Sequence, residues 1–220
     1  MNFVQKKCII FLILNEQRSI KESGGFMLKS EERKKEKEKK ITEAALFSFK
    51  EKGIEETSIR DIMKKSTFGL GTFYLYFKDK KDLEQKIVLD IMTDLFYKAE
   101  DQCLGNNTKE KYISFINYII DYLVQNPLEL NLISKNLDWA LYAKVENDER
   151  FEETETTLNF VLNKYSNLFS VKLSESERLF ILSLTIQIVL STCESSLMEG
   201  SVLSIDEMKP VLFKIVDKVF

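Results

Sequence analysis

Apolar side chains recur every three to four residues along most of the chain, a spacing that places them on one face of an α-helix. Only two prolines and seven glycines interrupt the pattern, and no segment alternates convincingly as a strand would. The sequence therefore predicts an all-α fold. Helices are expected at about residues 32–52, from Ser58 to a break at 66–69, and at 70–77, 81–104, 109–126, 128–144, 149–169, 174–199 and 206–220.

The first three predicted helices form an N-terminal module with a tight turn before the third helix. Ser58 and Asp61 form a pair like a capping box at the start of the second helix, with the shorter aspartate in place of glutamate. The turn comprises residues 66–69, and Phe73 and Phe77 stand one helical turn apart, facing inward. This arrangement is a helix-turn-helix, a module that many proteins use to bind DNA.

The net charge of −3 hides an asymmetry along the chain. Residues 28–82 carry 15 basic and 11 acidic side chains, a net of +4, whereas residues 83–220 carry 13 and 22, a net of −9. A basic module on an acidic body favours a polyanion as the partner of the N-terminal part. The charge run SEERKKEKEKK at 30–40 is either a solvated helix start or an arm that contacts phosphates.

The composition argues against several classes of chemistry. The chain has no histidine, which excludes histidine bases, histidine metal ligands and histidine pH switches. Cys8, Cys103 and Cys193 are isolated, so neither a zinc site nor a disulfide framework is indicated. No nucleophile elbow or phosphate-binding glycine loop is found. We therefore expect a protein that is not an enzyme, binds no metal or cofactor, and works in the reducing cytoplasm.

Residues 1–26 do not follow this pattern and are expected to be an extension outside the folded core. The apolar run CIIFLIL at 8–14 is compatible with a signal peptide, although no small-residue cleavage site follows it. The run is too short to span a bilayer, and no membrane partner is expected. A third interpretation is that translation starts at Met27, because Gly24-Gly25 can be encoded by a purine-rich stretch resembling a bacterial ribosome-binding site.

Three consecutive stretches resemble the DNA-binding domain of the tetracycline-repressor (TetR) family of bacterial regulators. TSIRDI at 57–62 is similar to the opening of that family's second helix, GTFYLYF at 71–77 to its recognition helix, and KDKKDL at 78–83 to the start of its fourth helix. The match runs without gaps over residues 41–83. The resemblance implies a helix-turn-helix DNA-binding domain at 27–80, followed by a helical effector-binding and dimerisation domain at 81–220.

The resemblance also implies which positions contact double-stranded DNA. They cap the second helix or lie around the recognition helix: Ser58, Gly69, Leu70, Gly71, Thr72, Tyr74, Leu75, Tyr76 and Lys80. The positions of Thr72, Tyr76 and Lys80 bind phosphate in the family, and their hydroxyl and ammonium groups can donate to its oxygens. Tyr76 can instead be mostly core, and Gly71 either permits close approach to DNA or serves helix packing.

The turn departs from the family's pattern. Thr67 stands where the family has glycine, and Leu70 stands where it has a basic residue. Leu70 and Leu75 cannot hydrogen-bond a base but can contact a thymine methyl group, so we expect A·T-rich sites read partly through DNA shape. The departure leaves a second hypothesis open, in which a helical interaction protein keeps the scaffold with weak or no DNA binding.

For the C-terminal part, the resemblance implies a repressor that binds a pseudo-palindromic operator as a homodimer and responds to an unknown small-molecule effector. The helices at about 174–199 and 206–220 are expected to form the dimer interface. The apolar centre at 180–190 fits either that interface or burial inside one subunit. Aromatic residues that either contact the effector or belong to the core are Phe96, Phe115, Tyr118, Tyr122, Trp139 and Tyr142.

Overall fold

The computed structural model describes residues 32–143, 156–168 and 172–219. The N-terminal extension at 1–26 and the first part of the helix expected at 149–169 lie outside the described residues. The chain divides into two compact units, Met1–Lys78 and Asp79–Phe220.

The described residues are mainly helical, which confirms the all-α fold. The N-terminal unit contains α1 (residues 32–52), α2 (Ile59–Ser66) and α3 (Leu70–Phe73). The C-terminal unit contains α4 (Lys80–Asp101), α5 (Thr108–Gln125), α6 (Pro127–Tyr142), α7 (Thr157–Lys164), a 3₁₀ turn (Ser166–Leu168), α8 (Glu175–Leu197) and α9 (Ile205–Val219).

The third helix is shorter than the sequence predicts. The regular α-helix ends at Phe73, and the backbone after it mixes bonds that span three residues with one that spans four, from the Phe77 N–H to the Phe73 carbonyl over 2.9 Å. The Leu75 N–H donates to the Thr72 carbonyl over 3.2 Å, and the Tyr76 N–H donates to the Phe73 carbonyl over 3.0 Å. Threonine and aromatic residues are weak helix formers, so the run TFYLYF does not extend a regular helix to residue 77.

The core of the N-terminal unit is built by one stripe from each helix. Ile41 and Phe49 of α1, Ile62 of α2 and Phe73 of α3 are at most 1% exposed. Phe77 is also buried, and its ring centroid lies 5.6 Å from that of Phe73. Both phenylalanines therefore face inward, as the spacing predicts, and fix the backbone that joins them.

The link between α1 and α2 is closed by a glycine and a buried hydroxyl. Gly53 adopts φ +85°, and its N–H donates to the Phe49 carbonyl over 2.9 Å, which ends α1. The hydroxyl of Thr57, which is 1% exposed, donates to the Gly53 carbonyl over 2.7 Å. Thr57 therefore sets the chain direction just before the cap of α2.

In the C-terminal unit, α8 packs against α5, α6, α7 and α9, while α4 packs against α5 and α6. The inner face of α8 is buried through residues such as Leu182 and Val189. Its other face is not covered within the unit, since Leu184 and Ile188 are 40% and 39% exposed. The segment 180–190 is therefore buried on only one side of the helix.

Charged and capping groups fix the two last helices. α8 begins with a capping box in which the Ser174 N–H donates to the Glu177 carboxylate over 2.7 Å. On α9, Lys209 pairs with Asp121 of α5. Near the other end of α9, Asp217 pairs with Lys109 of α5 over 2.6 Å. These ion pairs tie α9 to α5 at both ends.

Of the helices that the structure describes, α8 alone is long and apolar enough to cross a membrane by length and composition. Core helices of water-soluble proteins meet the same criterion. α8 packs against several helices of its own unit.

Candidate nucleic-acid interface

The turn between α2 and α3 adopts the geometry that glycine normally provides. Thr67 has φ 65° and ψ 8°, and it is the one non-glycine residue with positive φ in the part of the chain that the structure describes. A β-branched side chain is strained in this left-handed region. The Ser66 hydroxyl supports the turn by accepting the Phe68 N–H over 3.3 Å and donating to the Met63 carbonyl over 3.0 Å.

The start of α2 carries the predicted capping box, closed by an additional lysine. The Ser58 hydroxyl accepts the Asp61 N–H over 3.2 Å, and the Asp61 carboxylate accepts the Ser58 N–H over 3.0 Å. Lys52 of α1 donates to the same carboxylate over 2.6 Å. The Lys52 ammonium, followed by the Ser58 hydroxyl and amide, holds the pKa of Asp61 well below its usual range. Asp61 therefore stays ionised at neutral pH and keeps the cap closed.

This cap changes what Ser58 can offer to DNA. Its N–H and its hydroxyl both donate to Asp61, over 3.0 and 2.6 Å, so neither donor points freely outward. A phosphate at this end of α2 would instead meet the first-turn amides of Ile59 and Arg60, which lack acceptors within the helix. The role of Ser58 is then to position the helix end.

The segment from α3 to Phe77 has an outer face opposite its buried phenylalanines. Leu75, Tyr74 and Leu70 are 76%, 58% and 40% exposed. Thr72 and Tyr76 are half-buried, while Gly69 and Gly71 are exposed. The Tyr74 ring stands edge-on to the Phe73 ring, with centroids 5.3 Å apart. The outer face thus offers two aromatic phenols, a hydroxyl and two leucines.

Gly71 lies in open space on this outer face. A Cβ added there would meet no atom within 4 Å in the unit. Packing inside the unit therefore does not require glycine at this position. The other interpretation, close approach of another molecule, is compatible with the open surface.

Lys80 is the remaining predicted contact, and it belongs to the C-terminal unit as the first residue of α4. The helix end is capped by Asp79, whose carboxylate accepts the Asp82 N–H over 2.8 Å. The cap fixes the backbone from which the half-buried Lys80 side chain extends.

Two of the six predicted effector contacts line the same apolar cavity. Phe96 and Phe115 line an apolar cavity of about 40 Å³ among helices of the C-terminal unit. Tyr118, Tyr122, Trp139 and Tyr142 do not line it. The hydroxyl of Tyr122 donates to Glu129 over 2.7 Å, and Tyr142 is 61% exposed.

The cavity also contains two polar groups that the sequence analysis did not single out as contacts. Tyr112 and Thr185 hydrogen-bond to each other, and burial raises the pKa of the Tyr112 phenol. Tyr112 belongs to the buried stripe of α5, which the helical spacing identified as core. Thr185 is a polar residue within the apolar run of α8, and the spacing of apolar residues could not predict that it lines the cavity.

A groove of about 490 Å³ lies between α8 and α9, and its rim is largely apolar. Leu184 and Ile188 of α8 face Val211 and Ile215 of α9 around it, and each of these side chains is 39–52% exposed. One subunit therefore leaves apolar surface on both of its last helices in contact with solvent.

Comparison with known sequences identifies the N-terminal unit. Residues 41–86, which run from the middle of α1 to the first turns of α4, match the profile described as "Bacterial regulatory proteins, tetR family". The N-terminal part of the chain therefore carries the DNA-binding segment of the TetR family. TetR proteins are regulators rather than enzymes, which agrees with the expectation from composition.

The curated relatives align with just over half of their length. The HTH-type transcriptional regulator YvdT of Bacillus subtilis is 29% identical over 120 residues, which cover 54% of this chain and 58% of the relative. An HTH-type transcriptional regulator of Staphylococcus aureus (strain USA300) is 32% identical over 102 residues, which cover 45% of this chain and 54% of the relative.

Solved structures share the TetR fold along most of the chain. A TetR transcriptional regulator from Rhodococcus sp. RHA1 superposes with a TM-score of 0.62 at 15% identity, covering 86% of this chain and 97% of that one. The fatty acid degradation regulator FadR from Bacillus halodurans superposes with a TM-score of 0.54 at 17% identity, covering 82% of this chain and 94% of that one. At these identities the likeness establishes the fold alone.

Replacing Thr67 with glycine is expected to raise the free energy of unfolding by about 1 kcal/mol, because glycine adopts φ 65° without the clash of a Cβ. Thr67 is exposed, so little packing is lost. Chemical denaturation of Thr67→Gly and of the control Thr67→Ala measures the effect. Alanine retains the Cβ, so Thr67→Ala should raise the free energy of unfolding by less than Thr67→Gly does. If the glycine variant is no more stable than the alanine variant, the inference that the backbone at Thr67 is strained is wrong.

Proposed function

We propose that this TetR-family protein is a cytoplasmic transcriptional regulator, and specifically a repressor that binds a pseudo-palindromic operator as a homodimer and is released by a small-molecule effector. The observation that carries the proposal is the two-sided segment from Leu70 to Phe77. Its phenylalanines are buried in the core of the unit, and its phenols, hydroxyl and leucines lie outward.

The two kinds of outward group suit two kinds of contact. The hydroxyls of Thr72 and Tyr76 and the ammonium of Lys80 can donate to phosphates, which fixes the register on DNA. Leu70, Leu75 and the ring of Tyr74 lie where apolar contact with thymine methyl groups can supply base preference. Gly71 leaves room for the DNA backbone or a base edge to approach. We therefore retain A·T-rich half-sites as part of the proposal.

Tyr74 and Lys80 are expected to contribute to binding in different ways. Tyr74→Ala should weaken binding to the specific site about tenfold and affect unrelated DNA little, because it removes a base contact. Lys80→Ala should weaken binding to all sequences alike and reduce the slope of log affinity against log salt by about one. Fluorescence anisotropy with the DNA upstream of the protein's own gene, across a salt series, measures both effects.

The matched control for this experiment is Lys98→Ala, which removes an exposed lysine from the last turn of α4. It should leave affinity and salt slope unchanged. Unaltered binding by both Tyr74→Ala and Lys80→Ala would refute the assigned contacts. Absence of specific binding by the unaltered protein would favour the second hypothesis, a helical interaction protein that keeps the scaffold.

The homodimer is supported by the uncovered faces of α8 and α9. A short recognition helix reaches few base pairs, so useful affinity requires two copies on a symmetric site. The groove between α8 and α9 is rimmed by partly exposed leucine, isoleucine and valine side chains, and burying them against a second copy gains hydrophobic free energy.

Ile188→Glu is expected to convert the dimer into a monomer, because a carboxylate would be buried without a partner at the centre of this face. Sedimentation velocity at micromolar concentration measures the change. Leu104→Glu is the control, since Leu104 is a 78% exposed apolar residue between α4 and α5 and does not line the groove. A dimer that persists in Ile188→Glu would place the interface elsewhere.

The apolar cavity is the proposed effector site, because α4 both lines it and follows the helix-turn-helix directly in the chain. Its lining favours a neutral, mostly apolar effector with a polar group that can bond to Tyr112 or Thr185. A volume of about 40 Å³ is too small for such a molecule, so binding must move the surrounding helices apart. That requirement supplies the difference between two states on which an effector response depends.

A further inference from the structure

A second, polar cleft lies in the C-terminal unit and shares no lining residue with the apolar cavity. It has a volume of about 330 Å³ and is bordered by three helices. Lys81 contributes from the first turn of α4, Ser134, Asn136 and Trp139 from α6, and Gln187 from α8.

The amide of Asn136 holds the Lys81 ammonium at this cleft. Asn136 is 3% exposed, and its side-chain N–H donates to the Leu132 carbonyl over 2.8 Å. Its amide oxygen therefore has a fixed direction, and it accepts from the Lys81 ammonium over 2.5 Å. An ammonium carries three N–H donors, so Lys81 retains others that can serve a bound molecule.

The Ser134 hydroxyl at the same cleft has no hydrogen-bond partner. It is the one buried side-chain polar atom of this kind in the part of the chain that the structure describes. A serine inside a helix commonly donates to the carbonyl one turn earlier, but Ser134 does not. A buried hydroxyl without a partner costs free energy, so an acceptor that comes within hydrogen-bond distance of it from the cleft would be bound favourably.

The charge and shape of the cleft lining indicate which class of molecule can bind there. Lys135 and Asp138 also line the cleft and carry opposite charges, so Lys81 gives the lining a net charge of +1. A single negative charge balances it better than a phosphate dianion does. Trp139, 38% exposed, adds a flat apolar surface to the wall.

We propose that this cleft binds a small organic carboxylate whose oxygens accept from Lys81 and Ser134 and whose flat apolar body lies against Trp139. The site is distinct from the apolar cavity, with which it shares no lining residue. Because Gln187 also borders the groove between α8 and α9, the cleft lies next to that apolar face.

The test uses Trp139, the only tryptophan in the chain, as the reporter. Titration of the full-length protein with benzoate, followed by tryptophan fluorescence, is expected to saturate with a dissociation constant on the order of 1 mM, a value suited to so small a ligand. Benzamide has the same shape without the charge and should bind at least about tenfold more weakly. Inorganic phosphate should not compete.

Two variants and a control decide whether the named groups bind the ligand. Lys81→Met should weaken benzoate binding about tenfold or more. Ser134→Ala should weaken it severalfold and is the conservative variant, because it removes one hydroxyl and leaves the Lys81–Asn136 bond intact. Lys98→Met, on the exposed side of α4, should bind as the unaltered protein does. A non-saturable signal, equal binding of benzamide, preferential binding of phosphate, or unchanged affinity in Ser134→Ala would overturn the proposal.

Discussion

The burial of Phe73 and Phe77 is the constraint on which the outer face between Leu70 and Tyr76 depends. α3 has four residues, and a helix of one turn has no stability of its own in water. Its orientation comes from the core formed by these two rings with Ile62 of α2 and Phe49 of α1. Everything presented outward between Leu70 and Tyr76 is therefore positioned by what is buried inward.

The same constraint accounts for the strain in the turn. α3 can reach the core only if the chain reverses sharply after Ser66, which requires left-handed backbone at Thr67. The Ser66 hydroxyl stabilises the reversal, while Asp61 and Lys52 fix the other end of α2. Hydrogen bonds thus hold both ends of α2, and the least favourable local conformation, at Thr67, directly follows the second of these ends.

In the C-terminal unit, the other helices cover only part of the apolar surface of α8. One face is buried among α5, α6, α7 and α9, and the other remains at the surface with Leu184 and Ile188. The two interpretations of the apolar run at 180–190 therefore describe two sides of one helix. Association of two copies would complete the burial that a single chain leaves unfinished.

The sequence predicted those features that depend on local chemistry. Helical spacing identified the helices that the structure describes, and the Ser58 cap and the inward phenylalanines followed from spacing of the same kind. The predicted length of α3 was wrong, because the helix ends at Phe73, where weak helix formers follow and the buried phenylalanine rings determine the backbone path.

The features that the sequence did not predict depend on distant residues. Which aromatic residues share the cavity is decided by how five helices pack, so Trp139 and Tyr142 could not be separated from Phe96 and Phe115 by spacing alone. The Lys81–Asn136 bond joins residues 55 positions apart, and nothing in the local pattern marks it.

We propose that the outer face between Leu70 and Tyr76 reads a symmetric DNA site. Selection of bound sequences from a random pool of double-stranded DNA tests it most directly. An inverted repeat with A·T-rich half-sites should be enriched, because Leu70, in place of the family's usual basic side chain, would contact thymine methyl groups. Enrichment of a G·C-rich or unsymmetrical sequence, or no enrichment at all, would contradict it.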